Sequence, residues 1–73
     1  MIGDHDEMVA AADDWGPRND PERRHFLAGW TDYEAHTANI SAAPTYPNKP
    51  VEETLASMAA YNSGWVASRE RPS

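Results

Sequence analysis

One pattern, aromatic-x-x-Gly-Trp, occurs twice in this chain, as Phe26-Leu27-Ala28-Gly29-Trp30 and again 35 positions later as Tyr61-Asn62-Ser63-Gly64-Trp65. Each copy sits in a segment with helical spacing, where a glycine costs roughly 1 kcal/mol relative to alanine. Two such costs at matching places call for a packing reason. The simplest is a helical hairpin whose arms approach closely at Gly29 and Gly64 while the aromatics fill the seam. A Cβ on the contact face would hold the opposite backbone away. Phe26, Gly29, Trp30, Tyr61, Gly64 and Trp65 are therefore read as one structural motif, with Trp30 and Trp65 as core and Tyr33 and Tyr46 partly exposed.

Start and stop signals place three helices and no strand, so the fold class is all-α. Asp4 to Glu7 forms a capping-box variant, and Met8, Ala11, Ala12 and Trp15 follow at helical spacing until Gly16-Pro17 stops the helix. Asp20-Pro21-Glu22 opens a second helix predicted to reach about Ala38, with Phe26, Trp30, Tyr33 and Thr37 in one stripe. Residues 41–50 hold three prolines and read as a stiff connector. Pro50 is expected to open the third helix, with Glu52 and Glu53 against its dipole. Val51, Leu55, Met58, Trp65 and Val66 then form its buried face, with Tyr61 at the edge. The expected organisation is an acidic segment over residues 1–20, carrying a short helix, followed by a helical hairpin over residues 21–73.

Charge divides the chain at the same place. Residues 1–22 carry seven acids (Asp4, Asp6, Glu7, Asp13, Asp14, Asp20, Glu22) against Arg18 alone. The remainder balances five acids with five bases, so the net charge of −6 lies entirely in the first third. Such a segment repels phosphate and favours basic partners. No apolar run approaches the ~20 residues of a membrane span, and the acidic start lacks the cationic region of a signal peptide. With no cysteine, the expectation is a cytoplasmic protein in a reducing compartment.

The residues offer little for catalysis. The chain has no thiol, no Gly-x-Ser-x-Gly elbow and no phosphate-binding glycine loop. A two-armed helical scaffold of this length also leaves little room for a pocket of ~300 Å³ or more. Asp32 and His36, with His25 on a similar face, supply fewer ligands than a metal site with its supporting shell needs. No catalytic residue, cofactor or metal is expected, and the chain reads as a non-enzymatic binding protein. Two sets of side chains are candidates for the contact. Arg23, Arg24, Arg69 and Arg71 could meet RNA phosphate if one end of the hairpin gathers them. Asp4, Asp6, Glu7, Asp13 and Asp14 could instead meet a basic surface.

The order of an aromatic helix bearing a glycine, a proline-containing connector and an aromatic-x-x-Gly-Trp helix resembles the ribosome modulation factor family. Tyr61-Asn62-Ser63-Gly64-Trp65 is similar to the Trp-x-x-Gly-Trp-like signature of that family's second helix. Phe26 to Trp30 resembles its glycine-bearing first helix. Pro44-Thr45-Tyr46-Pro47-Asn48 carries the residue types of its Asn-Pro-Tyr-like connector in another order. The resemblance spans residues 24–71 and implies two helices joined by a loop. It further implies ribosome binding and a role in ribosome hibernation, a form of translation regulation, with Arg23, Arg24, Arg69 and Arg71 against phosphate. Typical members are basic, whereas the matching part of this chain is neutral. The alternative from the residues is an acidic inhibitor or adaptor that occupies the basic nucleic-acid-binding surface of a partner protein. A homo-oligomer with a structural role is a third reading.

Overall fold

The computed structural model describes residues 2–38 and 46–70, with side chains described for residues 6–36 and 46–70. Three helices account for most of them: α1 (Ile2–Trp15), α2 (Arg23–Ala38) and α3 (Leu55–Glu70). No strand occurs among the described residues, as the all-α reading expects. Asp4 lies in α1, but its side chain, together with residues 39–45 and Arg71, falls outside the described set.

The amino acids that bound each helix are legible in its hydrogen bonds. The Gly16 amide donates to Ala12 O at 3.1 Å and closes α1 where Gly-Pro was expected to stop it. Asp20 turns the chain into α2: its carboxylate accepts from the Glu22 amide at 2.8 Å and its carbonyl from the Arg23 amide at 3.1 Å. The third helix begins later than expected. Pro50 and the two glutamates lie ahead of it, and Thr54 is the cap. The Ser57 amide donates to Thr54 Oγ1 at 3.1 Å, and the Ser57 hydroxyl donates to Thr54 O at 3.1 Å. Thr54 supplies what proline cannot, a side-chain acceptor for an orphan amide of the first turn.

That shift moves the buried face of α3. Val51 and Leu55, expected in the core, are each 93% exposed. The residues buried instead are Ser57, Ala60, Tyr61, Gly64 and Ser68. They are mostly small, because this face meets backbone rather than side chains. A methyl group built on Gly29 would lie 2.9 Å from the Trp65 amide nitrogen and closer still to the Tyr61 carbonyl oxygen. One built on Gly64 would lie 3.0 Å from the Trp30 amide nitrogen and closer still to the Phe26 carbonyl oxygen. The two motif copies therefore seat on each other reciprocally. Each glycine faces the carbonyl of the other copy's first aromatic and the amide nitrogen of its tryptophan. The arrangement suits weak Cα–H···O contacts, worth about 0.5–1 kcal/mol each.

The contacts around the glycines fix how α2 and α3 meet. Trp65 reaches Tyr33 and His36 in the C-terminal half of α2, with ring centroids 5.1 and 5.7 Å away. Two residues further on, Ala67 packs on the cluster of Ala12, Phe26 and Trp30, toward the N-terminal half. Contacts therefore move back along α2 as α3 advances. Before α3, residues 46–52 return along α2: Asn48 bonds to Asp32, while Glu52 lies beside Arg24 and His25. The α2–α3 pair is thus the principal contact of the molecule. Helix α1 lies against both through Met8, Ala11, Ala12 and Trp15, the face its spacing predicts. Trp15 stacks on Phe26 at 5.2 Å.

Candidate partner-binding surface

The arginines assigned to phosphate are held by acids of their own chain. Arg23, with only 15% of its side chain exposed, lies 2.9 Å from Asp13 and ties α2 to α1. Arg24 reaches Glu52 at 2.9 Å, on the approach to α3, and Arg69 lies 3.7 Å from Glu70. Arg18 grips Asp13 with two bonds of 3.0 and 2.7 Å, and Lys49 pairs with Glu53. Every lysine and arginine among the described residues therefore has an acidic neighbour. Arg71 lies outside them.

The acidic set divides by role. Asp13 is a junction: Arg18 foremost, then Arg23, holds its carboxyl below the usual aspartate range despite the opposing cost of desolvation. It serves the fold, joining α1 to the turn and to α2. Asp6, Glu7 and Asp14 are exposed on α1. Asp14 stands on the wall of a groove of about 510 Å³ that the sequence reading did not foresee. Ala11, Asp14 and Trp15 of α1 form one side, Phe26 of α2 contributes, and Asn62, Ser63, Val66, Ala67 and Glu70 of α3 form the other. The expectation of little concave space overlooked α1, which leaves this channel where it leans on the other two helices. The signal lay in Val66, read on the apolar face of its helix yet standing between Asn62 and Glu70 at i, i+4, i+8.

The residues weighed for metal are drawn apart by other partners. Asp32 is 4% exposed and accepts from the Tyr61 hydroxyl, the Asn48 amide at 3.1 Å and Asn48 Nδ2 at 2.5 Å. Burial, and then the Asp32 carboxylate, pushes the Tyr61 hydroxyl well above its ordinary pKa of 10. His36 stacks on Trp65 instead. His25 is buried with Nε2 at 3.5 Å from Glu22 and 3.4 Å from Glu52. Among the described residues no group of three or more His, Asp or Glu side chains could hold a metal ion.

Of the six motif residues, Phe26, Trp30 and Tyr61 are almost wholly buried, Gly29 and Gly64 form the contact, and Trp65 is half-buried. Trp65 anchors an aromatic cluster with Tyr33, His36 and the 43% exposed Tyr46, whose ring lies 4.8 Å away. Tyr61, expected at the edge of its helix, is instead central. None of the described helices is long and apolar enough to cross a membrane. Comparison with protein-family models, with curated proteins and with solved structures returns no match.

Proposed function

We propose that this chain is a non-enzymatic binding module that docks through its acidic α1 side on a basic surface of a partner protein. One observation carries the reading: the described lysines and arginines are paired with acids of the same molecule, while Asp6, Glu7 and Asp14 stand exposed on α1, Asp14 on the wall of an open groove. A surface of that sign steers basic partners toward it and repels phosphate. An inhibitor or adaptor that covers a nucleic-acid-binding surface needs these properties.

Ribosome binding of the kind implied by the ribosome modulation factor resemblance is the second reading. It is favoured by the use of the signature residues, since Tyr61, Gly64 and Trp65 form the contact that shapes the molecule. Arg24 and Arg69 could also exchange their partners for phosphate, because both pairs are exposed and such pairs contribute only about 0–1 kcal/mol. A helical hairpin spanning residues 21–73 belongs to this reading as well.

One set of variants separates the two. Asp4, Asp6, Glu7 and Asp14 are changed to Asn or Gln, leaving Asp13 to hold its arginines. A second protein carries Gln at Arg24, Arg69 and Arg71. Each is tested by co-sedimentation with bacterial ribosomes across a salt series and by pull-down from extract. The proposed function expects a basic protein partner that the acid-neutralised variant loses and the arginine variant keeps. The opposite pattern, with steep salt dependence on ribosomes, supports the second reading. A partner retained equally by both variants contradicts both.

A further inference from the structure

The groove between α1 and α3 has the chemistry of a socket for one class of segment. Its apolar lining comes from Ala11, Trp15, Phe26, Val66 and Ala67. These side chains are contributed by all three helices, so the concavity exists only in the folded molecule. An exposed acid stands on each side, Asp14 on α1 and Glu70 on α3. Among the described residues Asp14 forms no hydrogen bond or ion pair, and Glu70 keeps only the loose 3.7 Å contact with Arg69. Asn62 and Ser63 supply neutral polar groups beside the apolar strip. A volume of about 510 Å³ lies within the range of ~300–1,000 Å³ typical of ligand clefts and accommodates a few large side chains.

We infer that this groove takes the apolar face of a basic amphipathic helix from the partner, with its leucine-like residues over Trp15 and Val66. Lysine or arginine on either side of that face would meet Asp14 and Glu70. The charge pattern selects this occupant: acids on both walls oppose phosphate or an acidic helix, and apolar side chains between them add nothing to a purely ionic contact. Helix-in-groove recognition places anchors at i, i+3 or i+4 and i+7. The inference rests on the proposed function and names the part of the acidic side that the partner would use.

The test uses the full chain and two synthetic helices of about 18 residues. One alternates Leu and Lys in an amphipathic pattern, and the other replaces every Leu by Ser at the same charge. Titration calorimetry gives affinities, and amide shifts of Asn62, Ser63 and Ala67 report the site. The Leu/Lys helix should bind at least about tenfold more tightly than the Ser/Lys helix and move those three amides. Asp14→Lys should weaken it by at least about fivefold, beyond the effect of Asp6→Lys, an equal charge change on a residue that does not line the groove. Equal affinity for the two helices, or equal loss in the two variants, would overturn the groove and leave the broader acidic surface standing. No binding of either helix at low salt would overturn both.

Discussion

Asp32 is a buried carboxylate with three donors from two distant parts of the chain and, among the described residues, no ion pair. Asn48 clamps the connector to α2, and the Tyr61 hydroxyl clamps α3. Removing one donor leaves a buried acceptor short of a partner, a loss of about 1–3 kcal/mol. Tyr61→Phe should therefore lower stability by that amount in urea unfolding; no change in midpoint would mean that water or Asn48 suffices. The same bond has a pH signature. A tyrosine whose folded pKa is raised contributes stability that is intact below its ordinary pKa of 10 and is lost as pH climbs beyond it. Wild-type melting temperature should fall above pH 10, and Tyr61→Phe should flatten that limb. The sequence gives little warning of this arrangement. Asp32 looks like a solvent-facing helix residue, and its spacing to His36 draws attention to metal instead; its partners come from positions 16 and 29 residues away.

At the level of elements, local chemistry announced what local chemistry controls. Gly16-Pro17 ends α1 and Asp20 opens α2 where the residues indicate. The start of α3 was missed because two signals competed. Pro50 with Glu52 and Glu53 satisfies the usual pattern, but those glutamates are drawn to Arg24, His25 and Lys49. Glu53 adopts a left-handed φ of 50° directly before the cap, so the helix cannot begin until Thr54. Thr54→Ala should cost about 0.5–2 kcal/mol, measured by thermal melting, whereas Pro50 carries no capping bond to lose. Helix α1 is the least embedded element, held chiefly by Ala12, Trp15 and the Asp13–Arg23 pair. Ala12, fully buried, is its weak point. Ala12→Glu should release α1 while α2 and α3 stay paired, seen as loss of amide dispersion confined to residues 2–15. Collapse of the entire spectrum would show that the α2–α3 pair needs α1 to fold.

For the whole molecule, the distribution of charge and the glycine contact make separate demands. Asp13, Glu52 and Glu53 have carboxyl pKa values held below their ordinary range, by Arg18 for Asp13, a backbone hydrogen bond for Glu52 and Lys49 for Glu53. Their contribution is present above about pH 4 and is lost as pH falls through the lowered values. All three are exposed, so the acid limb should be shallow, and Asp13→Asn should flatten it further. The same acids explain why the bases could be counted in the sequence but not located as a site. Pairing depends on where α1 and the approach to α3 come to lie against α2, and a repeat reveals that two helices meet without placing the charges around them. What the repeat did reveal is the contact itself, because only glycine allows each helix to approach the other's carbonyls.

The reciprocal seat of the two motif copies is the claim on which the architecture depends, and Gly64→Ala tests it directly. Overpacking costs about 1–3 kcal/mol; here the obstructing atoms are backbone, which no rotamer change can relieve, so the upper end applies. The helix-propensity gain of roughly 1 kcal/mol offsets only part of it. In a domain of this size each 1 kcal/mol is worth about 4–8 °C. The measurement is the melting temperature of Gly64→Ala beside Ser63→Ala, its half-buried neighbour. A drop of about 10 °C for Gly64→Ala, with Ser63→Ala within a few degrees of wild type, is the predicted result. A Gly64→Ala protein that melts at or above the wild-type temperature would contradict the glycine seat and the α2–α3 contact built on it.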